Sequence, residues 1–301
     1  MWVFFALLFP FFFAAVCVLD SLCVEKVFDR PWMGAVTSSL ASITAFAVLP
    51  FALAFAVWIE PGWAIIALAL LAGTLTQAAQ GLYFQSLAYS EAGIVAAYLN
   101  LIPVILPFAG HALSGQAFGV WAYAGIALNV AASVAMCLLD TNFQARWRSF
   151  FLMLAGCFLY AAGVLIEKYI FDRIPVLEGF LLITAGIVIS GSLPLALPRV
   201  RLVFRKNMAA LRPAFGVLIG IEVVNLLAIY FRHRALSLGD PSLIEAVATI
   251  QPGYTFGLSF LLYVVAPRFG DPQTRRHLWL KLLLVGLMVV GVRLVSLPAP
   301  G

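Results

Sequence analysis

Long apolar segments dominate the hydrophobic pattern of this chain. Residues 1–19, 31–59, 61–90 and 179–198 contain no charged side chain, and roughly 20 apolar residues are enough to cross a bilayer as a helix. The apolar positions do not alternate with polar ones, as they do in the strands of an outer-membrane barrel. Helices are therefore the spanning elements, and the pattern predicts an all-α integral membrane protein.

Breaks made by charged residues, proline and glycine divide the chain into ten predicted transmembrane helices. Their connections are short, and the longest basic one is residues 199–212. The first helix lacks the basic start and the cleavage pattern of a signal peptide, so we expect it to be retained. Predicted helices 1 to 10 cover residues 2–27, 33–59, 62–89, 92–111, 117–139, 149–171, 178–198, 213–236, 242–266 and 277–297.

Two motifs occur twice, in the same order. Glu25-Lys26 near the end of helix 1 is repeated as Glu167-Lys168 near the end of helix 6, at an offset of 142 residues. Tyr83-Phe84 in helix 3 is repeated as Tyr230-Phe231 in helix 8, at an offset of 147 residues. A nearly constant offset indicates an internal duplication.

The duplication predicts two five-helix repeats, residues 1–145 and 146–301. Because each repeat has an odd number of helices, the second enters the membrane with the opposite orientation to the first. Inverted repeats of this kind are typical of alternating-access carriers, whose substrate site lies near the bilayer midplane between the repeats.

Composition and charge support a membrane protein and set a first expectation of its orientation. The chain is 64% hydrophobic and 10% charged, against roughly 25% charged in soluble domains. Of its 18 Lys and Arg residues, 13 lie in or beside the connections on one side of the membrane. These connections join predicted helices 1 and 2, 5 and 6, 7 and 8, and 9 and 10, and they include residues 199–212. The positive-inside rule then places that side in the cytoplasm and both termini outside. The basic charge therefore predicts contact with lipid headgroups, not nucleic acid.

The repeated motif extends beyond the aromatic pairs into the helices that follow them. Its residues are Tyr83, Phe84, Ala88, Ser90, Gly93 and Pro103 in the first half, and Tyr230, Phe231, Ala235, Ser237, Ser242 and Pro252 in the second. This pattern resembles the drug/metabolite transporter superfamily, specifically its ten-helix EamA-type permeases. The resemblance implies a central cavity lined by helices 1, 3, 4, 6, 8 and 9, with helices 5 and 10 peripheral. It also implies cytoplasmic termini, contrary to the charge count.

Glu222 is the clearest ionisable residue inside a predicted span. A charged side chain at mid-membrane costs at least about 2.5 to 3.5 kcal/mol on insertion scales, so it is by default a functional hypothesis. At helical spacing, Asn225, Arg232 and His233 fall near Glu222. We predict that they line a substrate or proton cavity in which Glu222 is largely protonated. The alternatives are a hydrogen-bonded packing role for Glu222 and His233, and an Arg232 that extends to the headgroups.

Helix 9 carries a second polar face at helical spacing. Glu245, Thr249 and Pro252 share it, and Asn100 and Pro103 are the counterparts in helix 4. A proline within a helix leaves a carbonyl without its helical donor. The pattern predicts substrate contacts at the polar residues and hinges at the two prolines. Plain packing, or for Glu245 a helix-dipole role, is the alternative.

Three further side chains complete the predicted cavity lining. They are Gln77 and Gln80 in helix 3 and Asp20 in helix 1. A facing helix is an equally good partner for the two amides.

The sequence contains no phosphate-binding loop, and its three histidines and four cysteines form no metal or catalytic motif. We therefore expect no cofactor, no metal site and no enzyme activity. The best reading is a secondary active permease for a small organic metabolite or an amphipathic compound, in contact with membrane lipids and with protons as a candidate coupling ion. A bacterial inner membrane is the expected location. A lipid or lipid-linked-sugar translocase and a non-transport assembly subunit are the alternatives, and homodimer formation stays open.

Overall fold

The computed structural model describes residues 1–23, 31–55, 58–87, 89–90, 92–115, 117–139, 147–211, 215–265 and 277–297. Within these ranges the chain forms helices joined by short connections, without a β-strand. Two 3₁₀ segments cover Ser42–Val48 and Leu193–Ala196. The α-helices are α1 (Trp2–Cys23), α2 (Pro31–Ala41), α3 (Leu49–Phe55), α4 (Trp63–Leu87), α5 (Ala92–Leu99), α6 (Ile102–Ser114), α7 (Val120–Leu138), α8 (Trp147–Phe171), α9 (Val176–Ser192), α10 (Pro198–Leu211), α11 (Phe215–Leu236), α12 (Pro241–Ala248), α13 (Gln251–Val265) and α14 (Leu278–Val295).

Eight helical segments of the described chain are long and apolar enough to cross a membrane. They include α1, α4, α7, α8, α11 and α14, together with the combined segments 94–112 and 176–196. The prediction of an all-α, multi-pass membrane protein is thereby confirmed. The remaining apolar segments are shorter, and the Glu25-Lys26 motif lies outside the described residues.

Four predicted helices are interrupted in the structure. Predicted helix 2 consists of α2, the 3₁₀ segment Ser42–Val48 and α3. In predicted helix 7, α9 passes into the 3₁₀ segment Leu193–Ala196. Predicted helix 4 breaks at residues 100–101 into α5 and α6, and predicted helix 9 breaks at residues 249–250 into α12 and α13. These two breaks fall in the helices that contain Pro103 and Pro252.

The basic segment predicted as a connection is largely helical. Residues 198–211 form α10, which is held on the protein because Phe204 is buried with Met33 and Val36. The Asn207 side chain also contacts the sulfur of Met33, at 3.3 Å. The basic side chains of α10 are exposed. The contacts of Phe204 and Asn207 with α2 thus stabilise a helix in this charged connection.

The helices pack mainly in pairs. α4 packs against α8 and α9, α1 packs against α11 and α13, and α7 packs against α14. Small residues permit close approach of helices in a membrane. At the α4–α9 contact, a Cβ added to Gly186 would lie 2.5 Å from the carbonyl oxygen of Leu70, and one added to Gly73 would overlap the carbonyl oxygen of Ile183. The largest core cluster joins side chains of α1, α4, α6, α7, α8, α9, α11, α12 and α14.

Candidate functional site

Arg232 on α11 lies at the centre of a buried ion network. Its Nη1 donates a hydrogen bond to Oε2 of Glu167 on α8, at 2.8 Å. Its Nε donates to Oε1 of Glu245 on α12, also at 2.8 Å. All three side chains are almost fully buried. Buried charges are stable only when paired and hydrogen-bonded, so these residues hold three helices in one arrangement.

Aromatic rings and a histidine surround this ion network. The guanidinium of Arg232 lies 4.8 Å from the ring centre of Tyr160, within the range of a cation–π contact. His233 Nε2 lies 3.8 Å from Oε1 of Glu167, and its ring packs against Phe171 and Phe180. Two buried nitrogens, Arg232 Nη2 and His233 Nδ1, have no hydrogen-bond partner among the described residues. The network therefore retains unused hydrogen-bonding capacity.

Local sequence determines where Glu245 lies. Asp240 caps α12 by accepting a hydrogen bond from the backbone N–H of Ser242, at 2.8 Å. Pro241 occupies the first position of the helix, where the absence of an N–H group has no cost. Glu245 follows one turn later, and α11 runs on to Leu236, so Arg232 and Glu245 meet across the short turn between α11 and α12.

Glu222 belongs to a separate polar cluster on α11. It accepts hydrogen bonds from Ser42 at 2.7 Å, from Ser38 at 3.1 Å and from Asn225 at 3.2 Å. The two serines come from α2 and from the start of the 3₁₀ segment. Ten residues separate Glu222 from Arg232, which corresponds to about 15 Å along a helix. The polar stripe predicted on this helix thus divides into two clusters.

Polar side chains stabilise both helix breaks. At the first break, Asn100 Nδ2 donates to the carbonyl oxygen of Ala97, at 3.2 Å. At the second, Thr249 Oγ1 donates to the carbonyl oxygen of Ala246, at 2.8 Å. Pro103 and Pro252 are each the second residue of the helix that resumes. The predicted hinge prolines therefore mark the restart of each helix, and α6 packs directly against α12.

The structure brings some predicted site residues together and separates others. Arg232, His233 and Glu245 form one cluster, and Glu222 and Asn225 form another. Gln77 is buried and donates to the backbone of Ala35 at 3.0 Å, which is a helix-packing contact. Gln80 is half-buried on α4, and the side chain of Asp20 lies outside the described residues. The functional roles of these residues stay predictions.

Sequence reasoning missed Glu167 as a site residue. In the sequence it stands out only as a marker of the repeat, although it lies within an apolar helix four residues before the helix ends at Phe171. A buried arginine requires an anion, so the sequence could have predicted that Arg232 pairs with some carboxylate on another helix. Which carboxylate it would be depends on packing.

A cavity of about 290 Å³ lies away from both polar clusters, among α1, α13 and α14. A smaller one of about 190 Å³ shares Leu7 and Tyr254 with it. None of the predicted cavity-lining residues borders either space. The larger cavity is lined by Leu7, Ile250, Gly253, Tyr254, Val285, Val289 and Val292.

The first half of the chain is similar to a known protein family. Residues 1–138 match the sequence profile described as the EamA-like transporter family. The resemblance predicted from the repeated motif is confirmed over this range, which covers α1 to α7. The acidic and basic residues of the ion network all lie after the EamA-like range.

The fold also matches known structures along nearly the whole chain. One solved structure, titled only as the crystal structure of a protein, matches with a TM-score of 0.66 at 15% identity. The match covers 97% of this chain and 96% of that chain. At this identity the likeness shows a shared fold and nothing about substrate. No curated protein matches this chain. The apolar helices indicate an integral multi-pass membrane protein, and its first 138 residues are similar to a transporter family.

Proposed function

We propose that this chain is a secondary active permease for a small organic metabolite or an amphipathic compound. It works by alternating access between two inverted five-helix repeats, residues 1–145 and 146–301. Ten membrane passages follow if α2 with its 3₁₀ continuation and α12 with α13 also span the bilayer. The bacterial inner membrane is the proposed location.

The observation that carries this proposal is the pair of matching helix breaks. One break lies in each proposed repeat, each is followed by a proline, and α6 of the first repeat packs against α12 of the second. In secondary transporters, discontinuous helices at the repeat interface supply backbone groups and helix ends to the substrate. Asn100, Thr249 and the ion network at Glu245 stand beside these breaks, so the substrate site is proposed there.

The pattern of helix packing supports a two-fold relation between the repeats. In the proposed repeats α1 corresponds to α8, and α4 corresponds to α11. The α4–α8 contact therefore has the α11–α1 contact as its counterpart, and both are extensive. Exchanging the halves converts the α7–α14 contact into itself and the α5–α8 contact into the α12–α1 contact. Repeats related by a two-fold axis give this pattern.

A lipid or lipid-linked-sugar translocase is the second candidate. The observation that favours it is the cavity of about 290 Å³ among α1, α13 and α14, whose lining is apolar apart from Tyr254. An alkyl chain suits such a space better than a polar metabolite does. Under this reading, a compound with an acyl chain binds in this cavity, which borders the second helix break at Ile250 but is not lined by Thr249 or Glu245.

A screen of compound classes tests the proposal while the substrate is still unidentified. The full chain, purified in detergent, is screened for thermal stabilisation by amino acids, sugars, nucleosides, organic cations and short-chain phospholipids. Stabilising compounds are then tested for counterflow in proteoliposomes, with Thr249→Val as the site variant and Asp172→Asn as the control. Asp172 is suitable because it is exposed and pairs only with Lys168 among the described residues.

We expect a compound class that stabilises the parent and exchanges across the bilayer, with counterflow reduced by Thr249→Val and unchanged by Asp172→Asn. Stabilisation by phospholipids alone would favour the translocase. Failure of every class in both assays would contradict transport.

Orientation is proposed from charge. Because 13 of the 18 basic residues lie in or beside the connections on one side of the membrane, the side that includes α10, we propose that α10 faces the cytoplasm. Arg205 is exposed on this helix, so a cysteine placed there in a cysteine-free background reports its side. Labelling by an impermeant reagent added outside intact cells would contradict this orientation.

A further inference from the structure

The buried network around Arg232 contains one more acid than it has bases. Arg232 supplies one positive charge, and Glu167 and Glu245 supply two negative charges when both are ionised. Tyr160 and His233, the other ionisable groups that interact here, are neutral in their ordinary forms above pH 7. The facing side chain from α9 is the ring of Phe180. Full ionisation would thus leave one uncompensated charge in a buried site, which is costly.

A proton is the cation that best fits this site. The described residues contain no group of three His, Cys, Asp or Glu side chains placed to hold a metal ion. Neither of the two apolar cavities reaches the network. Both carboxyl groups already contact guanidinium nitrogens at 2.8 Å. A proton requires no further space, because it adds to a carboxyl oxygen.

The two carboxyl groups differ in their surroundings. Glu167 receives the Nη1 bond on one oxygen and faces the His233 ring nitrogen with the other, at 3.8 Å. Glu245 receives the single Nε bond among the described residues. Glu245 is also 7% exposed, whereas Glu167 is 1% exposed. The carboxyl with fewer positively polarised neighbours takes up a proton first, and the slightly greater exposure of Glu245 gives that proton a route of exchange with water.

We propose that Glu245 carries one exchangeable proton, while Glu167 stays ionised as the fixed partner of Arg232. The inference deepens the proposed function, because it assigns the coupling ion to the same site. Glu245 lies on α12, the short helix that ends at the Thr249 break. A protonated Glu245 keeps only a neutral hydrogen acceptor toward Arg232, and an ionised one is drawn to it by charge. When α12 becomes accessible to water, the O–H bond of Glu245 breaks and the proton passes to water, which changes the attraction between α12 and α11.

Proton release on unfolding tests the charge balance. The purified full chain is unfolded with dodecyl sulfate at pH 8 in weak buffer, and a pH dye counts the protons released per molecule. Unfolded glutamates are ionised at this pH, so the parent should release about one proton more than Glu245→Gln does. Asp172→Asn should match the parent because it removes an exposed carboxylate at the end of α8. Equal release by the parent and Glu245→Gln would overturn the proposal.

Carbodiimide labelling assigns the proton to a residue. Dicyclohexylcarbodiimide enters apolar sites and reacts with protonated carboxyl groups, and peptide mass spectrometry then locates the adduct. We expect the parent to be labelled at Glu245 at pH 6, with less labelling at pH 9. A label on Glu167 or Glu222 instead, or no label on Glu245, would overturn the proposal. This arm uses the parent protein, so it decides the assignment even if a variant fails to fold.

The two proposals fail separately. Counterflow in proteoliposomes together with an unlabelled Glu245 would leave the permease standing and remove the proton site. Labelling of Glu245 and the expected proton release, without transport of any compound class, would leave the proton site standing and remove the permease.

Discussion

α4 and α11 occupy equivalent positions in the two proposed repeats, but they are held in place by different chemistry. At the repeat offset of 147 residues, Arg232 on α11 corresponds to Gln85 on α4, and Glu222 corresponds to Leu75. α4 contacts α9 through closely approaching backbones, whereas α11 contacts α2, α8 and α12 through buried charges and hydrogen bonds. The same architecture therefore has an apolar, tightly packed version and a polar, ionisable version.

Glycine shows the same division. Gly73 on α4 faces the backbone of Ile183, where a Cβ has no room. Its counterpart at the repeat offset, Gly220 on α11, has open space around it. A glycine at the same repeat position thus serves packing in one half and not in the other.

Removal of the central cation should have the largest effect. Arg232→Gln leaves Glu167 and Glu245 buried without their partner, and breaking a buried ion pair costs about 3 to 5 kcal/mol. We expect a loss of this size in unfolding measured in detergent. Arg234→Gln is the control, because Arg234 is partly exposed two residues away and should change stability by less than about 0.5 kcal/mol.

A combined variant checks that charge is the cause of this loss. Adding Glu167→Gln and Glu245→Gln to Arg232→Gln removes every formal charge from the network, so most of the lost stability should return. A triple variant as unstable as Arg232→Gln would show that the shape of the arginine side chain matters more than its charge.

The glycine pair gives the next largest effect. Gly73→Ala places a methyl group against the Ile183 carbonyl and should cost about 1 to 3 kcal/mol through overpacking. Gly220→Ala meets nothing within 4 Å and should be neutral or gain up to about 1 kcal/mol from helix propensity. Thermal unfolding of both variants in the same detergent measures the difference. Similar values for the two would mean that α4 and α9 can separate without cost.

Substitution of Glu222 should have the smallest effect on stability. Glu222→Gln keeps the size of the side chain and an acceptor oxygen for its serine partners, so we expect a change below about 1 kcal/mol in the same unfolding assay. The sequence also predicts a proton role for this residue, and on that prediction Glu222→Gln loses pH-dependent transport. A pH profile identical to that of the parent would leave Glu222 as a packing residue.

The sequence predicts the spanning helices well because their signal is local. α4 and α8 end within two residues of the predicted positions, since continuous apolar runs are enough to place them. The breaks at residues 100–101 and 249–250 could be located only roughly. A proline indicates a weak point in a helix, but packing decides whether the helix bends or stops and restarts.

Partners distant in sequence account for most of what could not be predicted. α10 is helical because Phe204 and Asn207 reach Met33, more than 170 residues away in the chain. Arg232 and Glu167 are separated by 65 residues. Helical spacing groups the residues of one face, and it contains no information about which other helix that face meets.

The contact between α7 and α14 has a mechanical consequence. A Cβ on Gly125 would lie 2.7 Å from the carbonyl oxygen of Gly291, and Asn129 beside it donates to the backbone of Ala246 on α12. Two helices that touch backbone to backbone can turn about their line of contact with less disruption than they can separate. If the repeats move, this line is therefore the natural axis of rotation.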